Sequence, residues 1–139
     1  MKDNYNKSRR ATYNLTVHII FVTKYRNPCL TNAMIDDLKV YLEQVLGHWD
    51  AELLEFNGEK DHVHCLVSYP PHKLLSSIIS NLKSTSCKRL WNKYESRLKK
   101  HYWKKRVLWT PSYFVASCGG VTIEQLKQYV SNHERPTIY

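Results

Sequence analysis

The sequence contains no apolar run approaching the ~20 residues that cross a bilayer, which excludes a transmembrane helix. Its start, Met1-Lys2-Asp3-Asn4-Tyr5, lacks the apolar stretch of a secretory signal, so a cytoplasmic protein with no membrane partner is the expectation. None of the four cysteines, at 29, 65, 87 and 118, stands in a C-x-x-C pair, which argues against a zinc ribbon or a thioredoxin-like site. In a reducing compartment they read as small buried hydrophobes. Repeats, low-complexity tracts and an inter-domain linker are also missing, and 139 residues suit one domain, 1–139, around one core. Acids are scarce in one place. From Lys83 to Arg106 ten basic residues face a single acid, Glu95, so this segment alone carries the chain's whole net charge of +9.

What is present begins with a hydrophobic content of 42% and an aromatic content of 12%, the composition of a globular chain. The cationic segment is interleaved with Trp91, Tyr94, Tyr102 and Trp103, a mixture suited to phosphate backbones and base stacking. A solvated helix face is the alternative reading of such a run, but the concentration of net charge favours nucleic acid. No strongly apolar face accompanies it, which disfavours a membrane surface.

Leu15, Val17, Ile19 and Phe21 alternate with Asn14, Thr16, His18 and Ile20, the period of a half-buried strand. Thr31 reads as a helix N-cap, with Met34, Leu38, Tyr41, Leu42, Val45 and Trp49 on one side and Gly47 near the end. A strand follows over Glu52–Phe56, Asn57-Gly58 signals a turn, and another strand runs over His62–Ser68. Pro70-Pro71 stops it. Leu74, Leu75, Ile78, Ile79 and Leu82 repeat at helical spacing into the basic segment. A last strand is expected over Tyr113–Cys118. Gly119-Gly120 then precedes a final helix, marked by a Thr122/Gln125 capping box and a Val121/Leu126 staple, and ended by Pro136. Strand pairs separated by helices favour an α+β layer, an antiparallel sheet with helices packed on one face.

Two spacings carry chemistry. His62 and His64 are two apart on a strand, so both imidazoles point to one face and can bind one metal. Tyr129 and His133 are four apart on a helix and share a face. With His133 as a third ligand, the Tyr129 hydroxyl is carried toward whatever the metal holds. Each feature has a plainer reading: a hydrogen-bonded strand pair of histidines, and an aromatic on the buried stripe with Ile123, Leu126 and Val130. Asp61 alternates to the opposite face from His62, so a turn or supporting role fits it better than metal ligation. His18 reads equally as structural or DNA-facing. Lys24 and Arg26 contact phosphate or only cap a loop.

Taken together with Val22-Thr23-Lys24-Tyr25-Arg26, Asp61-His62-Val63-His64, Leu108-Trp109-Thr110-Pro111-Ser112-Tyr113-Phe114 and Gly119-Gly120 … Gln128-Tyr129-Val130, the chain resembles the single-tyrosine, HUH-superfamily transposases of the smallest insertion sequences (TnpA-like) over nearly its whole length. The resemblance implies a ferredoxin-like, RRM-like sheet whose C-terminal helix carries the nucleophile. It also implies a prokaryotic homodimer with active sites shared between subunits, Gly119-Gly120 serving as a hinge. The partners it implies are single-stranded DNA hairpins, cut and rejoined with a divalent metal, Mn2+ or Mg2+. His62 and His64 match the paired ligands and Tyr129 the nucleophile, forming a 5′-phosphotyrosine. The family commonly has glutamine four residues after the tyrosine, where this chain has His133. Candidate DNA contacts are Lys24, Arg26, Lys83, Lys88, Arg89, Lys104, Lys105 and Arg106.

Three imidazoles make a nitrogen-rich site, which suits Mn2+, Co2+ or Zn2+ better than oxygen-seeking Mg2+. Faster single-strand cleavage with Mn2+ than with Mg2+ at matched low concentrations is expected; equal rates would count against a third imidazole. Competing functions are a domesticated hairpin-cutting relative, a replication-initiator nickase, which lacks its helicase segment here, and a non-catalytic single-stranded nucleic-acid-binding module. The last would need neither Tyr129 nor the histidines.

Overall fold

In the computed structural model, residues 6–7, 12–117 and 123–132 are described. A short hairpin, β1 (Asn6–Lys7) with β2 (Thr12–Tyr13), precedes the main sheet; no sequence signal marked it. The main elements follow as β3 (Thr16–Val22), α1 (Asn32–His48), β4 (Glu52–Gly58), β5 (His62–Ser68), α2 (Leu75–Leu98), β6 (Phe114–Ser117) and α3 (Ile123–Ser131). The four main strands lie in the order β4-β5-β3-β6, every neighbouring pair antiparallel. This βαββαβ order is the ferredoxin-like arrangement.

One face of the sheet is apolar. Val17, Ile19 and Phe21 of β3 and Val63, Cys65 and Val67 of β5 join Met34, Leu38 and Leu42 of α1 and Ile78, Ile79 and Leu82 of α2 in one core. The period of two in the strands and of 3.6 in the helices makes this possible. Thr31 caps α1 as its sequence suggests, its hydroxyl accepting from the Met34 amide at 3.2 Å. Gly47 lies within α1, and Trp49 takes the C-cap position. Burial pushes the Cys29 thiol up to about 11 and that of Cys65 to about 12, so both behave as inert core groups.

Three details depart from the periodicity. Asn57 and Gly58 are not a turn: they pair with His64 and Val63 inside the sheet, and the chain reverses over residues 59–61. A Cβ on Gly58 would lie 2.5 Å from the Ile35 side chain, so the glycine serves the close approach of α1 to the strand. Leu74 is exposed at the start of α2 and contributes nothing to the core. Of the four aromatics in the basic segment, Trp91 and Tyr102 are buried and Tyr94 packs against the core, leaving Trp103 alone fully open at 75% exposure. Base stacking by Trp91 and Tyr102 is therefore excluded by packing, because their rings complete the hydrophobic interior.

Candidate functional site

The second face of the sheet carries the histidines. Ile20 of β3 stands opposite His64 on β5 and opposite Phe114 on β6, while His64 also stands opposite Asn57 on β4. Phe114, Ile20, His64 and Asn57 thus form one row on one face. His62, two residues from His64, and His18, two from Ile20, share that face. All three histidines line a cavity of about 670 Å3 with Glu55, Asn57 and Glu59, and its far side is formed by Lys127, Val130 and Ser131 of α3.

Each imidazole has a partner. His62 Nδ1 lies 2.8 Å from Asp61 Oδ1, and Asp61 Oδ2 accepts from Arg26 Nε at 3.0 Å. Burial alone would raise the Asp61 carboxyl, but hydrogen bonds from His62 and Arg26 outweigh it and hold it below the usual carboxylate range. A carboxylate on one ring nitrogen fixes the tautomer that leaves Nε2 as the free lone pair. The supporting role expected of Asp61 is what its geometry provides. His64 Nε2 lies 2.8 Å from His18 Nδ1, the two rings stacked 5.0 Å apart. Burial lowers the His64 pKa, and the neighbouring His18 lowers it further, so this imidazole is neutral in ordinary conditions. Its contribution to folding is complete above the usual imidazole range and is lost as pH falls through the lowered value.

His18 is the residue that sequence reasoning undervalued. Its signal was present in the alternation of β3, but the link to His64 depends on the register of two strands 46 residues apart. The link from Arg26 to Asp61 is equally invisible in the sequence: the guanidinium Nε reaches Asp61 from a turn in which Tyr25 (φ 60°) and Arg26 (φ 53°) are both left-handed. Such strain costs on the order of 1–3 kcal/mol per residue and persists only where the surroundings impose it.

Tyr129 stands on the same side of the sheet but outside the cavity lining. Its ring packs on Phe114, centroids 5.0 Å apart at 49°. Phe114 and His64 are separated by β3, a lateral distance of about 10 Å at the usual strand spacing. The phenol oxygen is buried, which raises its pKa above the ordinary value; the neighbouring Ser112 offsets part of this. In this position the phenol is protonated and withdrawn from the histidines.

The donor set suits a divalent cation, with two imidazoles on one face and one of them oriented by a carboxylate. Among the described residues no three His, Cys, Asp or Glu side chains gather around one point, so His62 and His64 alone would supply only part of a coordination shell. His133 lies outside the described residues, as do Gly119-Gly120, Thr122 and Val121.

The candidate DNA contacts separate into different roles. Lys83 donates to the Thr110 and Pro111 carbonyls at 2.7 and 3.0 Å, and its burial lowers its pKa: it clamps the chain leading to β6. Arg89 lies 4.0 Å over the Tyr41 ring and hydrogen-bonds Gln44. Arg106 lies over Trp91, with Lys88 beside that groove. Lys24, Lys104 and Lys105 line a separate cleft. Among the described residues no helix is long and apolar enough to cross a membrane.

Known proteins share this fold. Residues 11–133 match the family described as Transposase IS200 like. The ISDra2 transposase TnpA of Deinococcus radiodurans is 31% identical over 130 residues, covering 93% of this chain and 91% of that protein. The transposase for insertion sequence element IS200 of Salmonella typhimurium is 25% identical over 120 residues, 86% of this chain and 77% of its own length. A crystal structure of a transposase from D. radiodurans R1 superposes with a TM-score of 0.85 at 30% identity, covering 94% of this chain and 99% of that one. A REP-associated tyrosine transposase bound to a REP hairpin shares the fold at a TM-score of 0.54 and 15% identity, covering 90% and 68% of the two chains. With a match that takes in both histidine strands and the Tyr129 helix, the chain belongs to the IS200-like transposase family.

Proposed function

We propose that the protein is a metal-dependent transposase that binds the single-stranded hairpin ends of an insertion sequence and cuts and rejoins that DNA through a 5′-phosphotyrosine on Tyr129. The observation that carries this reading is the shared cavity: His62 and His64 face the helix that bears Tyr129. A hairpin-bound protein of the same fold supports DNA hairpins as partners.

In the proposed reaction the Tyr129 oxygen attacks the scissile phosphorus in line. The bond from phosphorus to the 3′ oxygen breaks, the phenol gives up its proton to solvent, and the leaving 3′ oxygen takes one up. The phosphotyrosine bond conserves the phosphodiester energy, so attack by a 3′-hydroxyl restores the strand without ATP. His62, His64 and His133 would hold the divalent cation, which when bound neutralises charge developing on the phosphoryl oxygens. Asp61 fixes the His62 ring, Arg26 fixes Asp61, and Lys127 places a further cation at the cavity wall. Withdrawal of the Tyr129 phenol onto Phe114 fits a resting state, from which either movement of α3 or the partner subunit's Tyr129 completes the site.

The direct test is incubation with hairpin-ended single-stranded DNA and metal, followed by a denaturing gel. A covalent protein–DNA band is expected, and a cleaved strand with no protein attached would favour hydrolysis by water instead. Asp61→Asn preserves shape but removes the charge that orients His62. A ten- to hundredfold loss of metal affinity, read by titration, is expected from an orienting carboxylate of this kind. Activity should decline below about pH 6, because ligand imidazoles must be neutral. Since the His64 pKa lies below the ordinary value, its share of the decline comes as pH falls through that lowered value. A cleavage profile flat down to about pH 5 would show that imidazoles do not hold the metal.

A further inference from the structure

A second cleft, of about 340 Å3, opens between the turn at Lys24-Tyr25 and the segment from His101 to Val107, and it shares no lining residue with the histidine cavity. Its rings are unusually open for a soluble chain: Tyr25 is 54% and Trp103 75% exposed. Lys24 Nζ lies 5.5 Å over the Tyr25 ring and Lys104 Nζ 4.9 Å over the Trp103 ring, while Lys105 adds a third cation. Among the described residues no carboxylate lines the cleft.

The walls are tied together. The Tyr102 hydroxyl donates to the Lys24 carbonyl at 2.7 Å, the Lys24 amide donates to Leu108 at 2.7 Å, and His101 Nδ1 lies 3.0 Å from Asn27 Oδ1. Tyr25 is held in a left-handed conformation uncommon for a residue with a side chain. A preformed pocket of this size, at the small end of the usual 300–1,000 Å3 or so for ligand sites, admits a nucleotide but not a duplex.

We propose that this cleft binds an unpaired base of single-stranded DNA, stacked on Trp103, with Tyr25 on the facing wall and Lys24, Lys104 and Lys105 holding the flanking phosphates. Aromatic faces recognise a base only when its own face is free, so a fully paired stem offers the cleft nothing but phosphates. The turn that carries Tyr25 also sends Arg26 to Asp61 and thence to His62. A base held here therefore sets the position of the strand relative to the histidines. The inference rests on the reading of the protein as one that acts on single-stranded DNA.

The test uses the full chain without metal, a short oligothymidylate as probe, and a blunt duplex of equal length beside it. Trp91 and Trp109 are buried and Trp49 is half-buried, bonded to Asn81, so quenching of tryptophan emission by a stacked thymine reports on Trp103. Oligothymidylate is expected to quench the emission. Trp103→Ala should remove most of the quenching and weaken binding about tenfold, Tyr25→Ala should weaken it comparably, and Trp103→Phe should retain affinity. Duplex binding should be unchanged in all three. Oligothymidylate affinities of Trp103→Ala and Tyr25→Ala that match wild type overturn the proposal, as does an equal loss for duplex and single strand. The exposure of both rings leaves the fold independent of either substitution, which circular dichroism checks. Covalent adduct formation separates this inference from the function it rests on. An adduct without any Trp103 effect rejects the cleft alone, and Trp103 stacking without an adduct rejects the transesterification alone.

Discussion

Tyr129→Phe is expected to abolish the covalent protein–DNA adduct on a denaturing gel while leaving hairpin binding intact. The substitution removes one oxygen and keeps the ring that packs on Phe114 at 5.0 Å, so α3 retains its seat on the sheet. Deleting a polar atom from a buried site costs nothing comparable to a cavity, and the fold should be unchanged. Among the described residues no tyrosine oxygen lines the histidine cavity, so none stands ready to replace that of Tyr129. The hydroxyls of Tyr25 and Tyr113 belong to exposed rings outside the histidine cavity, and that of Tyr102 is committed to the Lys24 carbonyl. The expected loss is therefore complete. An adduct that persists in this variant would move the nucleophile to another residue and remove the reason for pairing α3 with the histidines.

The second large effect is expected at His64. It occupies the middle of the row between Ile20 and Asn57, buried enough that its pKa is lowered, with His18 stacked beside it. His64→Ala removes a neutral nitrogen donor that no neighbour on β5 replaces, because Val63 and Cys65 face the core. Loss of charge neutralisation worth several kcal/mol should reduce strand cleavage on the order of a thousandfold, measured as initial rate with saturating hairpin DNA. Binding of the hairpin should survive. Activity within tenfold of wild type, with the fold verified by circular dichroism, would exclude His64 as a ligand. The two inactive variants also test sharing across a dimer. If the partner subunit's Tyr129 serves these histidines, mixing Tyr129→Phe with His64→Ala subunits should recover adduct formation at a fraction of the wild-type level. Mixtures that remain inactive would confine each site to one chain.

The ten basic residues between Lys83 and Arg106 illustrate why charge counting is a coarse guide. Lys83 clamps two carbonyls, Lys93 pairs with Asp37 at 2.8 Å, Arg97 donates to the Cys29 carbonyl, and Lys99 pairs with Glu95 across one helical turn. These interactions belong to the fold. The remaining cations near Trp103 face an open cleft, and there the original association of positive charge with an aromatic ring holds.

The sequence by itself determined the order of the main elements from β3 to α3, the cap on α1, the common face of His62 and His64, and the place of Tyr129 on the last helix. All of these are short-range consequences: a strand alternates every residue, a helix turns every 3.6, and a threonine hydroxyl reaches an amide three residues on. The tertiary structure alone decided that His18 meets His64, that Arg26 and Asp61 brace His62, that Gly58 lies in a strand beneath Ile35, and that Trp91 and Tyr102 are core while Trp103 is not. Those outcomes depend on strand register and on which side chains close the interior. Both are set by contacts between residues tens of positions apart, which no local period encodes.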